Sequence, residues 1–267
     1  MTAGGKPARL LIIAGSDSSG GAGIQAGIKT AASFGVYAMT AITAVTAQDT
    51  KGVHAIHPVP PSVIRGQISA ALEDIGADAI VVGMLYSAAI VRTVAETLSS
   101  IARKLPIVVD PVMISTSGAA LLDSRAVEIF KTRLLPLATL VTPNLPEMQR
   151  LTGVSGTRGE DIRAAARKLL ALGAEAALIK GGHATKATID DVLLWKGGEE
   201  VFAFPRLKTR HTHGTGCTLA AAIACGLGKG LSLPLAVSKA REYVQNAIAT
   251  APGLGRGHGP LNHAVKL

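Results

Sequence analysis

Short, mostly apolar runs alternate along the chain with stretches whose apolar residues recur at every third or fourth position. The runs occupy residues 10–14, 41–45, 79–82, 107–109, 139–141 and 176–179. Their length and weak polar alternation fit strands buried on both faces. Between them, Ile64, Ile68, Ala71, Leu72 and Ile75 keep the spacing of one helix face, as do Ile162, Ala166, Leu169 and Leu170. Thr157 and Glu160 form a capping-box pattern ahead of the second helix, and Gly173 stands where it should end. Residues 192–195 and 201–204 flank Gly197-Gly198 and predict an antiparallel hairpin near a sheet edge. Two helices close the chain: an Ala-rich one over 215–227, and one starting near Ser232 with Val237, Ala240, Val244 and Ile248 inward. This alternation predicts a three-layer α/β fold with a mostly parallel central sheet flanked by helices. No linker, repeat or low-complexity block divides the 267 residues, so one domain is expected, with residues 1–8 a loose N-terminal tail.

Charge narrows the class of partner. Lys and Arg total 27 against 18 Asp and Glu, a formal net charge of +9 that favours anions such as nucleotides or phosphorylated metabolites. With one Trp, three Tyr and four Phe, a base-stacking surface for nucleic acid is not expected. The apolar stretch 79–91 is broken by Gly83 and Ser87 and falls short of a membrane span. Lys6 and Arg9 precede only five apolar residues, too few for a signal-peptide core. Cys217 and Cys225 lie eight apart in one predicted helix, where the rise separates them by about 12 Å, so they cannot pair. Two unpaired thiols suit a reducing cytoplasm, where the protein is expected.

Candidate chemistry collects immediately after the buried runs. Residues 15–23 form a Ser- and Gly-rich loop, and the other runs lead into Gln48-Asp49, Gly83-Met84, Asp110-Pro111, Thr142-Pro143-Asn144 and Lys180-Gly181-Gly182-His183. Open α/β sheets bind ligands at the carboxyl ends of their strands, which predicts one cleft along one edge. Gly21-x-Gly23-x-x-Ala26 nominally fits a dinucleotide fingerprint, but it starts too far beyond the first strand. The remaining readings are a backbone packed closely against a small molecule and a tight structural turn.

The loop Thr212-His213-Gly214-Thr215-Gly216-Cys217-Thr218 opens the Ala-rich helix, so unpaired N–H groups and the helix dipole favour a phosphate or developing anion there. Cys217 would sit in the first turn, where that field is expected to lower its pKa and let it accept a proton from an attacking hydroxyl. Cys225 is read as a buried, inert thiol. Asp110, Asn144 and Glu147 present oxygen ligands suited to hydrated Mg²⁺, or else serve turns and helix caps. Lys180 could neutralise a transferring phosphoryl group. His183, His211 and His213 show no metal-ligand spacing and are left unassigned or structural. No Walker A, His-Glu-x-x-His or Gly-x-Ser-x-Gly pattern occurs.

Taken in order, these loops resemble the hydroxymethylpyrimidine and phosphomethylpyrimidine kinases of thiamine biosynthesis, within the ribokinase-like superfamily. The matching segments are AGSDSSGGAGIQA at 14–26, VTAQD at 45–49, VGML at 82–85, VVDPVM at 108–113, TPNLPE at 142–147, KGGH at 180–183, THGTGCT at 212–218 and GHGP at 257–260. The resemblance implies phosphorylation of 4-amino-5-hydroxymethyl-2-methylpyrimidine by ATP and Mg²⁺, then of its monophosphate to the diphosphate. It implies a base at Cys217, an anion hole of Gly214, Thr215 and Gly216, and an aminopyrimidine contact at Gln48. Gly15, Ala22, Met84 and Val112 would shape the pocket, Lys180, Asn144 and Thr212 would meet ATP, and Asp110 and Glu147 would meet Mg²⁺. It also implies a homodimer without a separate lid domain, while the few aromatics and the short apolar stretches predict no nucleic-acid or membrane partner. Two positions depart from the family pattern: Gly27 where an aspartate is usual, expected to remove a cap or substrate contact, and His211 where asparagine is usual. A pyridoxal kinase of the cysteine-containing type is the nearest alternative, and a non-catalytic pyrimidine sensor is the alternative from another class.

Overall fold

The computed structural model describes residues 5–101, 105–113, 122, 124–183 and 187–265, of which Ile101, Ser124 and His183 are described by backbone alone. The chain runs through β1 (Arg9–Asp17), α1 (Gly23–Ser33), β2 (Tyr37–Gln48), β3 (Val53–Pro58), α2 (Pro61–Ala70), β4 (Ala79–Val82), α3 (Ala88–Ile101), β5 (Ile107–Val109) and α4 (Ser124–Ile129). It continues through β6 (Leu140–Val141), α5 (Leu145–Thr152), α6 (Gly159–Ala171), β7 (Ala176–Ile179), β8 (Thr188–Trp195), β9 (Gly198–Pro205), α7 (Thr215–Gly228) and α8 (Leu233–Ala249).

Among the described residues these strands form one sheet in the order β3-β2-β1-β4-β5-β6-β7-β8-β9. Pairing from β2 through β1 to β7 is parallel, and the outer pairs β2–β3, β7–β8 and β8–β9 are antiparallel. The period of two along each central strand divides the core. Leu11, Ile13, Ile80, Val82 and Val109 join one apolar cluster with residues of α2, α3, α4 and α6, while Leu10, Ile12, Val81 and Val108 join another with α1, α7 and α8. Because both faces are covered, the strands read as continuous apolar runs. The three-layer α/β fold with a mostly parallel sheet is therefore present.

Local differences have physical causes. The hairpin of β8 and β9 is longer than the apolar pattern suggested, and Trp195 pairs with Gly198, so its turn is Lys196-Gly197 rather than Gly197-Gly198. Gly197, at φ +107°, supplies the positive φ that a two-residue turn requires. The N-cap of α6 is Arg158, not Thr157, and Asp161 rather than Glu160 receives the Arg158 N–H at 3.3 Å. Helix α2 widens into a π turn over Ala71–Ile75, which turns Ile75 off the buried face and leaves it 39% exposed. The sequence pattern did not single out α1, α3, α4, α5 or β3. Among the described residues, no helix is long and apolar enough to cross a membrane.

Consecutive strands add to opposite sides of β1: the chain goes outward to β2 and β3, then returns to place β4 on the other side. That reversal opens a crevice at the carboxyl ends of β1 and β4, where ligands bind in open α/β sheets.

Candidate active site

Strand β1 carries a register shift between Ala14 and Ser16, and Gly15 at that shift lines the crevice. A Cβ on Gly15 would lie 3.1 Å from Met84 Sδ. Met84 is held in turn by Thr43 Oγ1, which donates to its carbonyl at 2.7 Å, and packs with Ala44, Val112 and Tyr86. Beyond Gly15 the chain folds around the Asp17 carboxylate, which accepts from the N–H groups of Ser19, Gly21 and Ala22 at 2.8, 3.1 and 2.8 Å. Helix α1 then starts at Gly23, whose φ of +55° brings it against the Gly15 carbonyl with no room for a side chain.

The second glycine-rich loop docks onto the first. Gly214, at φ +83°, is the N-cap of α7 and makes no side-chain cap, and a Cβ there would collide with the Gly21 carbonyl. Cys217 lies in the first turn of α7, and the Gly23 N–H is directed at its sulfur. Both cysteines are free. Gly216 abuts the third component of the site: its Cβ would stand 3.1 Å from Asp110 Oδ2 and 3.4 Å from Lys180 Nζ.

That third component is charged and buried. Lys180 Nζ lies 2.7 Å from Asp110 Oδ1 and 3.9 Å from Glu147 Oε2, and Thr142 Oγ1 donates to Asp110 Oδ1 at 3.0 Å. Asn144 caps α5 by accepting the Glu147 N–H at 2.9 Å, while Glu147 accepts the Asn144 N–H at 2.8 Å. The cap reading of Asn144 is thus realised, and its amide NH₂ is what it can offer to a ligand. Burial pushes Glu147 up to about 7, with Lys180 opposing and Asp110 reinforcing the shift. For Lys180 burial acts downward, but Asp110 and Glu147 outweigh it and raise the ammonium to about 12.

The expected low pKa of Cys217 is corrected by the structure. Burial of the thiol, reinforced by the negative charge of Asp110, pushes it up to about 11 despite the nearby Gly23 N–H and Lys180. The unliganded protein therefore holds a thiol at Cys217. Cys225 is buried in the body of α7 and raised to about 12 by burial, in keeping with an inert role.

A single cavity of about 690 Å³ gathers the three components. Gly15, Ala22, Gln48, Met84 and Val112 line one part, and Asp110, Asn144, Glu147, Lys180, Thr212 and residues 214–217 line the rest. The two family departures lie elsewhere. Gly27 is buried in α1, where a Cβ would lie 2.9 Å from Ile12 Cδ1, so a larger side chain there would press on the core. His211 packs against Gly259 with its Nδ1 buried and unpartnered and does not line the cavity. Neither Gly27 nor His211 lines the cavity. Four lining residues, Asp17, His213, Asp191 and Arg241, were missed as participants. Asp17 sits in a Ser-Asp-Ser-Ser-Gly segment that is itself an Asx-turn signal, whereas the His213 partner and the buried Asp191–Arg241 pair at 3.0 Å join residues far apart in sequence.

A family described as phosphomethylpyrimidine kinase matches residues 17–262. The chain belongs to the phosphomethylpyrimidine kinase family. The hydroxymethylpyrimidine/phosphomethylpyrimidine kinase of Streptomyces coelicolor is 51% identical over 98% of this chain and 96% of its own. The crystal structure of phosphomethylpyrimidine kinase from Clostridium difficile superposes with a TM-score of 0.81 at 40% identity, covering 90% of this chain and 99% of that one. A Bacillus subtilis pyridoxal kinase, solved as an ADP complex, superposes with a TM-score of 0.89 at 36% identity over 97% and 98% of the two chains. The phosphomethylpyrimidine kinases are phosphotransferases of thiamine biosynthesis, and this chain is one of them.

Proposed function

We propose that this cavity transfers the γ-phosphoryl group of ATP to 4-amino-5-hydroxymethyl-2-methylpyrimidine and then to its monophosphate, with roles divided among its walls. The observation that carries the reading is the meeting of three parts in one cleft: a pocket walled by Gly15, Ala22, Met84 and Val112, the uncapped start of α7, and a buried Lys180–Asp110 pair touching that start. The pyrimidine lies against Gly15, Ala22, Met84 and Val112, with Gln48 pairing a donor and an acceptor to its ring nitrogen and amine. Gly214, Thr215 and Gly216 supply backbone donors to the migrating phosphoryl group, and Lys180 balances its charge. Asn144 and Thr212 face ATP. Cys217 takes the proton of the attacking hydroxymethyl oxygen as that oxygen bonds to phosphorus.

Among the described residues no group of three or more His, Cys, Asp or Glu could hold a metal ion. The two hard carboxylates Asp110 and Glu147 nevertheless fit Mg²⁺, which keeps several waters and needs few protein oxygens. Burial, reinforced by the charge of Asp110, raises Glu147, and a cation bound between the two carboxylates would oppose that shift as Lys180 already does. Bound there, Mg²⁺ would neutralise the phosphates and cancel the Asp110 charge that opposes thiolate formation at Cys217. The chain acts as one cytoplasmic kinase domain without a separate lid, assembled as a homodimer, the arrangement its family resemblance implies.

The fold similarity to a pyridoxal kinase supplies the second reading, because pyridoxal is also a hydroxymethyl aza-aromatic. Mass spectrometry of products after incubation with Mg-ATP and equimolar hydroxymethylpyrimidine and pyridoxal separates the two. Pyrimidine mono- and diphosphate are expected. Pyridoxal phosphate alone would transfer the same chemistry to the other vitamin, and no product would favour the sensor.

A further inference from the structure

Asp17 and His213 join the two glycine-rich loops where both approach Gln48. His213 Nε2 lies 2.8 Å from Asp17 Oδ2, and the two side chains are 7% and 4% exposed. The imidazole edge packs against the first loop, so closely that a Cβ on Gly21 would stand 2.5 Å from His213 Cδ2. Burial disfavours the charged form of Asp17, but the bonds from His213 and Ser19 outweigh it and bring the carboxyl down to about 2. Asp17 is therefore ionised, and a carboxylate has only acceptors to offer. A nitrogen 2.8 Å from it carries a hydrogen, which fixes His213 as the Nε2–H form.

Gln48 Nε2 is 3.5 Å from the same His213 nitrogen. Both groups are then donors, so this approach is not a hydrogen bond, and the Gln48 NH₂ is not consumed by the imidazole. The Gln48 Oε1 faces Thr46 Oγ1 at 3.2 Å, a hydroxyl that also reaches the Ser16 carbonyl at 3.0 Å. The Gln48 backbone is pinned as well, its N–H donating to Ser18 Oγ at 2.8 Å and its carbonyl accepting from that hydroxyl at 2.7 Å.

We propose that the Asp17–His213 pair is a positioning and specificity device: by holding the proton on Nε2 it denies Gln48 an internal acceptor and leaves the amide NH₂ free for a ring nitrogen of the bound aza-aromatic alcohol. With a bare Nε2, the imidazole would accept from Gln48 and compete with the ligand. His213 acts through Gln48 rather than by touching the reacting atoms. The inference rests on the reading that Gln48 meets the pyrimidine.

The test uses the full-length enzyme. Long-range ¹⁵N–¹H correlation spectra, with His213 assigned by its loss in His213→Gln, are expected to show a proton on Nε2; an Nε2 without one would overturn the proposal. His213→Gln also places a carboxamide oxygen beside Gln48. The pyrimidine KM is expected to rise about tenfold, the effect of one lost hydrogen bond, while the ATP KM stays within about twofold. The same substitution made in a Gln48→Ala background should add little further. An equal rise in both backgrounds would show a merely structural role and sink the proposal. Failure of the parent to phosphorylate the pyrimidine would instead overturn the underlying reading, while the tautomer could still be read from the spectrum.

Discussion

The part of the cleft around Gly15, Gln48 and Met84 is shaped largely by close approach of backbone, whereas the part around Asp110, Glu147, Lys180 and Cys217 is made of charge taken out of water. In the first, Gly15 and Gly23 line the cleft and Gly21 packs behind them, and a Cβ at any of the three would meet Met84, His213 or the Gly15 carbonyl. In the second, one ammonium faces two carboxylates, with a thiol and the bare start of α7 beside it. The difference teaches a division of labour. A wall set by close backbone approach can select a ligand by shape and one amide, while an ammonium buried against two carboxylates, with Glu147 and Lys180 both raised, is poised to respond when phosphate and cation arrive.

That division can be broken from either side. The larger effect belongs to the charged part. Lys180→Met is expected to lower kcat by roughly 10²–10³, the cost of losing one preorganised group aimed at developing charge. The pyrimidine KM should move little. The melting temperature should also fall, because Asp110 and Glu147 lose their buried cation. Steady-state kinetics with each substrate varied in turn, together with thermal unfolding, checks both outcomes. On the shape-based side, Gln48→Ala should raise the pyrimidine KM about tenfold and leave the ATP KM nearly unchanged. Equal shifts in the two KM values would erase the proposed boundary.

A third effect, on stability rather than turnover, concerns the scaffold behind α7. His263 is buried, with its Nε2 3.0 Å from Thr218 Oγ1 of α7 and its carbonyl accepting from Tyr243. Burial, helped by Lys29, lowers its pKa from 6.5 to about 4. Below pH 6.5 the unfolded chain takes up a proton that the folded chain refuses until about pH 4. Stability from this group is thus complete above pH 6.5 and falls as pH drops toward 4, by at most about 3 kcal/mol. Glu147 acts in the opposite sense: its raised folded value gives stability that is full below pH 4.5 and lost as pH rises through about 7. The difference between parent and His263→Gln in denaturant unfolding, followed from pH 7 to 4, isolates the histidine. It should shrink steadily toward acid, and a constant difference would contradict the account.

How much of this was legible beforehand follows from the same physics. The parallel strands were plain because burial on both faces leaves an unmixed apolar run, as at Leu10 to Ile13. The cavity was legible because its residues follow those runs directly. The α6 cap was misplaced by one residue, since both Thr157-x-x-Glu160 and Arg158-x-x-Asp161 can be written into the same segment and only folding selects one. Helix α2 kept its face through Ile68, but no periodicity announces the π turn that follows. The protonation of Cys217 was misjudged because a helix N-terminus is visible in sequence and desolvation beside Asp110 is not. His213 was left unassigned for a similar reason, its partner lying 196 residues away.

The central claim is that Cys217 accepts the hydroxyl proton at a site that binds both substrates without it. Its most direct test is single-turnover transfer by Cys217→Ala, with excess enzyme carrying bound Mg-ATP and a trace of labelled hydroxymethylpyrimidine. The account predicts that both ligands bind as they do to the parent while transfer slows by roughly 10²–10⁴, the range for loss of a positioned base. Transfer at the parent rate would contradict it.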